Sequence, residues 1–185
     1  MESVKPAIPV LAALLLIAGA PAAHADDDNP LHLLVDTAAQ RLQTADPVAA
    51  YKWVNGGSIE DPARVAQVLD TVGADASNRG IDPAYVREAF ENQIHATEGV
   101  QYILFGHWKF VPAAAPASAP DLAESRTAID GFNKSMVAEM AAQWGVLHGP
   151  TCPAALDAAK RTVAAERGLD PLKVDALAVA TASYC

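Results

Sequence analysis

Four cationic side chains, Arg41, Lys52, Arg64 and Arg126, stand in helical segments of a chain whose formal charge is −9. Further on, Thr97 and Gln101 fall on the stripe formed by Val86, Phe90, Ile94 and Leu104, where a helical pattern calls for apolar residues. The two share a face one turn apart, and a buried hydroxyl and amide must find partners. Buried charge needs a counter-charge as well. These residues predict a focused pocket for a small dianion, because the overall charge gives no general attraction for one. Each also has a plainer reading. Arg41 adjoins Leu42, Lys52 lies between Tyr51 and Trp53, and Arg64 precedes Val65, so each could lay its stem along the core with its head in water. Thr97 and Gln101 could equally be packing residues bonded to nearby backbone.

Other chemistries find little support. His32, His95, His107 and His148 show no His-x-x-x-His or Cys-His spacing, so no metal site is expected. No Gly-rich phosphate loop and no Gly-x-Ser-x-Gly elbow occurs, and no cofactor is expected. The acidic balance argues against nucleic acid as a partner, since that binding rests on a basic face.

The elements that must position these groups read as all-α. Asp-Pro occurs at Asp46-Pro47, Asp61-Pro62, Asp82-Pro83 and Asp170-Pro171, the pattern in which aspartate caps a helix and proline fills its first position. Apolar residues recur at three and four: Leu31, Leu34, Val35, Ala38 and Leu42, then Val65, Val68, Leu69 and Val72. The Ala-Pro-rich stretch 111–120, with Pro112, Pro116 and Pro120, cannot stay helical and reads as a connector. After it, Leu122 to Leu147, Ala154 to Arg167 and Pro171 to Tyr184 read as helices, with Gly149 and Gly168 near helix ends. The expectation is a single helical domain of about six helices.

The first residues stand apart. Lys5 precedes an apolar run from Ala7 to Ala20 that ends in Ala23-His24-Ala25, the three-part pattern of a cleaved signal peptide over residues 1–25. The run is short for a membrane span and is followed by Asp26-Asp27-Asp28, so no membrane association is expected after cleavage. The remaining 26–185 suffices for one domain with one core. Export, to the periplasm or the medium, places Cys152 and Cys185 where disulfides persist. One intramolecular bridge between them would staple the last two helices as an antiparallel hairpin. Free thiols and intermolecular pairing are the other readings.

Several segments carry a family resemblance: Arg41-Leu-Gln-Thr-Ala-Asp-Pro-Val-Ala-Ala-Tyr-Lys-Trp, Ile59-Glu-Asp-Pro-Ala-Arg-Val, Ile81-Asp-Pro-Ala-Tyr-Val, Gln93-Ile-His-Ala-Thr-Glu and Asp121-Leu-Ala-Glu-Ser-Arg-Thr-Ala-Ile-Asp. In order and spacing, with the leader and both cysteines, they resemble the secreted chorismate mutases of mycobacteria and related bacteria. The resemblance implies an all-helical enzyme, with a homodimer possible, that rearranges dianionic chorismate to prephenate without a cofactor. It implies carboxylate clamping by Arg41, Arg64 and Arg126, donation to the ether oxygen by Lys52 and Gln101, and a place beside them for Thr97. Arginine suits clamping through its two-pronged donation. The reaction is unimolecular, so an enzyme need only hold a compact conformer and stabilise charge growing on the ether oxygen.

Two positions depart from the family pattern. Gln101 stands where a glutamate is expected, and a neutral amide donates without first being protonated. Val68 stands where a glutamine would contact the ring hydroxyl of the substrate, which valine cannot do. Two alternatives follow: an isochorismate pyruvate lyase, which shares the scaffold and cationic clamp, and a non-catalytic secreted protein of the same fold that binds an anion.

Overall fold

A computed structural model describes Met1 and residues 29–185. The leader read at Ala7 to Ala20 and its cleavage site lie outside the described residues. Among the described residues eight α-helices follow one another: α1 His32–Gln43, α2 Ala45–Asn55, α3 Pro62–Asn78, α4 Pro83–Phe110, α5 Leu122–Ala142, α6 Trp144–Leu147, α7 Cys152–Glu166 and α8 Pro171–Ala180. Among the described residues there is no strand. The excess over about six comes in part from the long helix expected over 122–147, which breaks at Gln143 and resumes as the single turn α6.

Three of the four Asp-Pro starts act as read. Asp61 accepts from the backbone N–H of Arg64, Asp82 from that of Ala84 and Asp170 from that of Lys173. Asp121, with no proline after it, caps α5 in the same way through Ala123. Asp46 departs from the expectation. The helix begins one residue before it, Thr44 is the N-cap, and α1 runs almost directly into α2 through the Thr44 N–H bond to the Arg41 carbonyl. Pro47 is tolerated there because first-turn N–H groups have no helical partner to lose. The Asp46 carboxylate turns instead to Lys173 Nζ at 3.0 Å, tying the start of α2 to the start of α8.

The core gathers around α4, the longest helix, which packs on α8, α3 and α2, while α1 packs on α5 and α7. Leu34, Leu42, Phe90, Met136, Met140 and Leu177 are fully buried within it. Val111 ends α4, and a short 3-10 turn at Pro112–Ala114 opens the connector, as its prolines require. Cys152 and Cys185 form a disulfide with Cα atoms 5.7 Å apart. The bridge joins the start of α7, which rests mainly on α1, to the chain just past α8, which rests mainly on α4. Linking two residues 33 positions apart in sequence contributes about 4 kcal/mol on the chain-entropy account.

Candidate active site

The cavity is built where α1, α2, α3, α4 and α5 converge. It occupies about 660 Å³ including its mouth, and its lining contains Arg41, Lys52, Arg64, Val68, Thr97, Gln101 and Arg126, all the residues singled out from the sequence. Apolar side chains, among them Val48, Ile59, Val65, Ile94 and Leu122, complete the walls. A mostly apolar cleft with a few convergent polar groups is the usual make-up of a small-molecule site.

Arg41 is the deepest of the cations, with only 4% of its surface exposed. It does not extend its head into water as the plainer reading allowed. Nε donates to Asn133 Oδ1 at 2.7 Å, and the guanidinium carbon lies 5.8 Å from the centre of the Phe90 ring. That is within the range of a cation–π contact. Burial pushes its pKa down to about 10, so it remains charged at neutral pH. Arg64, at the start of α3, donates through Nη1 to Gln67 Oε1 at 2.9 Å and through Nη2 to Asp130. Arg126, on the first turns of α5, donates to Asp61 Oδ2 at 3.0 Å and is nearly half exposed. Each guanidinium keeps further N–H donors beyond these bonds.

Lys52 is half-buried near the end of α2, and its ammonium donates to the Ile59 carbonyl. One bond uses one of three ammonium donors, so others remain for a ligand. Burial lowers its pKa, opposed by Glu98 and Asp61 and reinforced by Arg126. Thr97 and Gln101 are 8% and 3% exposed, which places the polar pair inside the protein as the interrupted stripe predicts. Thr97 Oγ1 donates to the Gln93 carbonyl at 2.8 Å, so the backbone-bonded reading holds for its proton. Gln101 is different. Its Nε2 reaches the Thr97 carbonyl only at 3.4 Å, and its buried Oε1 has no hydrogen-bond partner among the described residues. A weakly tethered amide at the cavity wall is a donor in reserve.

Sequence reasoning missed two carboxylates of the lining. Asp61 shows in the sequence only as a helix cap, yet its second oxygen holds Arg126. Glu98, the neighbour of Thr97, also faces the cavity, and burial raises its pKa against the opposing influence of His95 and Lys52. Four cations against two carboxylates leave the lining positive inside an acidic protein. Val68, 5% exposed, forms part of the wall between this cavity and a second one between α3 and α5, which shares Arg64 with it.

Comparison with known proteins bears on this geometry. The chorismate mutase type II family profile matches residues 32–102, the span that supplies Arg41, Lys52, Arg64, Thr97 and Gln101. The secreted chorismate mutase of Mycolicibacterium smegmatis is 55% identical over 176 residues, covering 95% of this chain and 97% of that protein. The chain belongs to the secreted chorismate mutases. The secreted chorismate mutase of Mycobacterium tuberculosis is 47% identical over 178 residues, covering 96% of this chain and 89% of that one. Family likeness extends to solved structures. Chorismate mutase from Burkholderia thailandensis superposes with a TM-score of 0.80 at 36% identity, covering 85% of this chain and 100% of the other. The enzyme from Burkholderia phymatum gives 0.80 at 31% identity, covering 85% and 96%.

Proposed function

We propose that this protein is an exported chorismate mutase whose cavity holds chorismate through Arg41, Arg64 and Arg126 and promotes its rearrangement to prephenate through Lys52 and Gln101. The observation that carries this reading is the convergence of four cationic side chains from α1, α2, α3 and α5 on one largely apolar cavity. Solvated arginines would point apart.

The chemistry asks little beyond placement. Chorismate rearranges within one molecule, so holding both carboxylates selects the compact conformer in which the reacting carbons meet. Arg41, Arg64 and Arg126 supply that hold, with planar donor pairs suited to carboxylates. As the ether bond breaks, its oxygen gains negative charge. The Lys52 ammonium, held beforehand by the Ile59 carbonyl, and the Gln101 amide, free to turn from its long bond to Thr97, donate to it. Around buried Arg41, Val68 and the other apolar walls limit water, and a charge pair formed there is stronger than in bulk solvent.

Export of the chain is supported by its leader pattern and by its likeness to chorismate mutases that are secreted. No helix among the described residues is long and apolar enough to cross a membrane.

The deciding experiment offers chorismate and isochorismate separately to protein beginning at Asp26 and follows prephenate, salicylate and pyruvate. Prephenate from chorismate is the expected result. Salicylate and pyruvate from isochorismate, without prephenate from chorismate, would replace this reading with that of a lyase. Binding of chorismate without turnover would make the protein a non-catalytic member of the fold.

A further inference from the structure

The three clamp arginines differ in what holds them. Arg64 and Arg126 are paired with carboxylates that lie well in water, Asp130 at 55% and Asp61 at 40% side-chain exposure. Arg41, which is buried, is held by a neutral amide: Asn133 Oδ1 accepts from Nε at 2.7 Å, and Asn133 is itself only 5% exposed. A guanidinium nitrogen can only donate, so the amide must present its oxygen there. The bond crosses from α1 to α5 over 92 residues of sequence. On α5, Asn133 lies on the same face as Arg126 and Asp130, at the spacing of seven, four and three that brings helical residues into line. This one face therefore carries one clamp arginine and orients the other two.

We infer that Asn133 is a positioning residue, which fixes the Arg41 guanidinium through Nε and, being uncharged, leaves its positive charge and its two Nη groups for a carboxylate of the substrate. The inference rests on the reading of the cavity as the chorismate site. A carboxylate at the same place would hold the same nitrogen in the same shape. It would also cancel, in a buried and weakly screened environment, the charge that the substrate must meet. At the exposed positions water screens the pairing, so Asp61 and Asp130 interfere less with the arginines they hold. The Phe90 ring supports Arg41 from a second side without neutralising it.

The test compares Asn133→Asp and Asn133→Ala with the wild-type protein in kcat, KM for chorismate and melting temperature. For Asn133→Asp, the expected result is a KM raised about tenfold or more with a smaller change in kcat, because ground-state binding of a carboxylate is what is lost. For Asn133→Ala, kcat/KM should fall about tenfold as the guanidinium loses its bearing. A purely structural role would lower melting temperature and active fraction while leaving KM within about twofold in both variants, and that outcome overturns the inference. Should Asn133→Asp fail to fold, Asn133→Ala with wild-type kcat/KM overturns it alone. An inactive wild-type protein overturns the reading of the site itself, whereas an active one with indifferent variants overturns only the role of Asn133.

Discussion

Replacing Gln101 by glutamate separates a donor that is present at every pH from one that must first be protonated. Gln101 is 3% exposed, its Oε1 has no hydrogen-bond partner among the described residues, and Glu98, three residues before it on α4, lines the same cavity with a carboxyl pKa already raised by burial. A carboxyl placed there meets the same desolvation and an added like charge, and both raise its pKa; Lys52 and the three arginines of the lining oppose them. A value of about 6 would leave roughly 1% protonated at about pH 8 and roughly 90% at about pH 5. Only the protonated form can donate to the ether oxygen, so turnover relative to wild type should rise from about a hundredth to near parity across that range. Chorismate consumption at saturating substrate, measured for both proteins in the same buffers, gives the ratio directly. A ratio that stays constant with pH would refute the placement of the Gln101 amide at the ether oxygen.

Lys52→Ala should lower kcat on the order of a hundredfold to a thousandfold, about 3 to 4 kcal/mol of transition-state stabilisation, with an unchanged circular dichroism spectrum; near-normal turnover excludes the lysine as the main donor. Because burial depresses the Lys52 pKa and the charged form is the one required, the alkaline limb of wild-type kcat/KM should lie below the ordinary lysine value of 10.5, and a limb at or above it contradicts the assignment. Val68→Gln should restore a partner for the ring hydroxyl of the substrate and raise kcat/KM by about fivefold or more, given the roughly 1 to 3 kcal/mol cost of an unpaired group, as read in steady-state kinetics; a decrease would mean that the valine wall is required as it stands. Replacing Cys152 and Cys185 together by serine should lower unfolding free energy by about 4 kcal/mol in denaturant titrations, while kcat at low temperature persists, since the bridge lies outside the cavity lining.

The parts of the site that were legible in the sequence are those whose signal is local. The interruption of the α4 stripe at Thr97 and Gln101 exposes two polar residues on a core face, because periodicity alone fixes which way a helical side chain points. Caps at Asp61, Asp82 and Asp170 are likewise set by their immediate neighbours. The joint meaning of the four cations depends on family resemblance, since nothing in the local pattern distinguishes Arg41, which is buried, from a residue with its head in water. Asn133, Asp130 and Asp61 as partners of those arginines were out of reach for the same reason. Their bonds span 92, 66 and 65 residues, and periodicity gives a face but not what it meets. Asp46 shows the opposite failure. Its local signal is sound, but the near-continuity of α1 and α2 and the ion pair with Lys173 across the fold outweigh it. The break at Gln143 has no proline to announce it.

An acidic chain that takes up a dianion must keep its positive charge from being neutralised by its own carboxylates, and burial decides how each arginine does so. Near the mouth, Arg126 and Arg64 are held by Asp61 and Asp130, and an incoming carboxylate need only share or exchange donors with groups that water already solvates. At the deepest point no such exchange is affordable, because a carboxylate set free there would be an unpaired buried charge. The amide of Asn133 and the face of Phe90 orient Arg41 without that penalty. On the proposed reading the pocket is thus graded: its outer cations would capture the substrate, and its inner one, already fixed and still charged, would set the geometry on which Lys52 and Gln101 act.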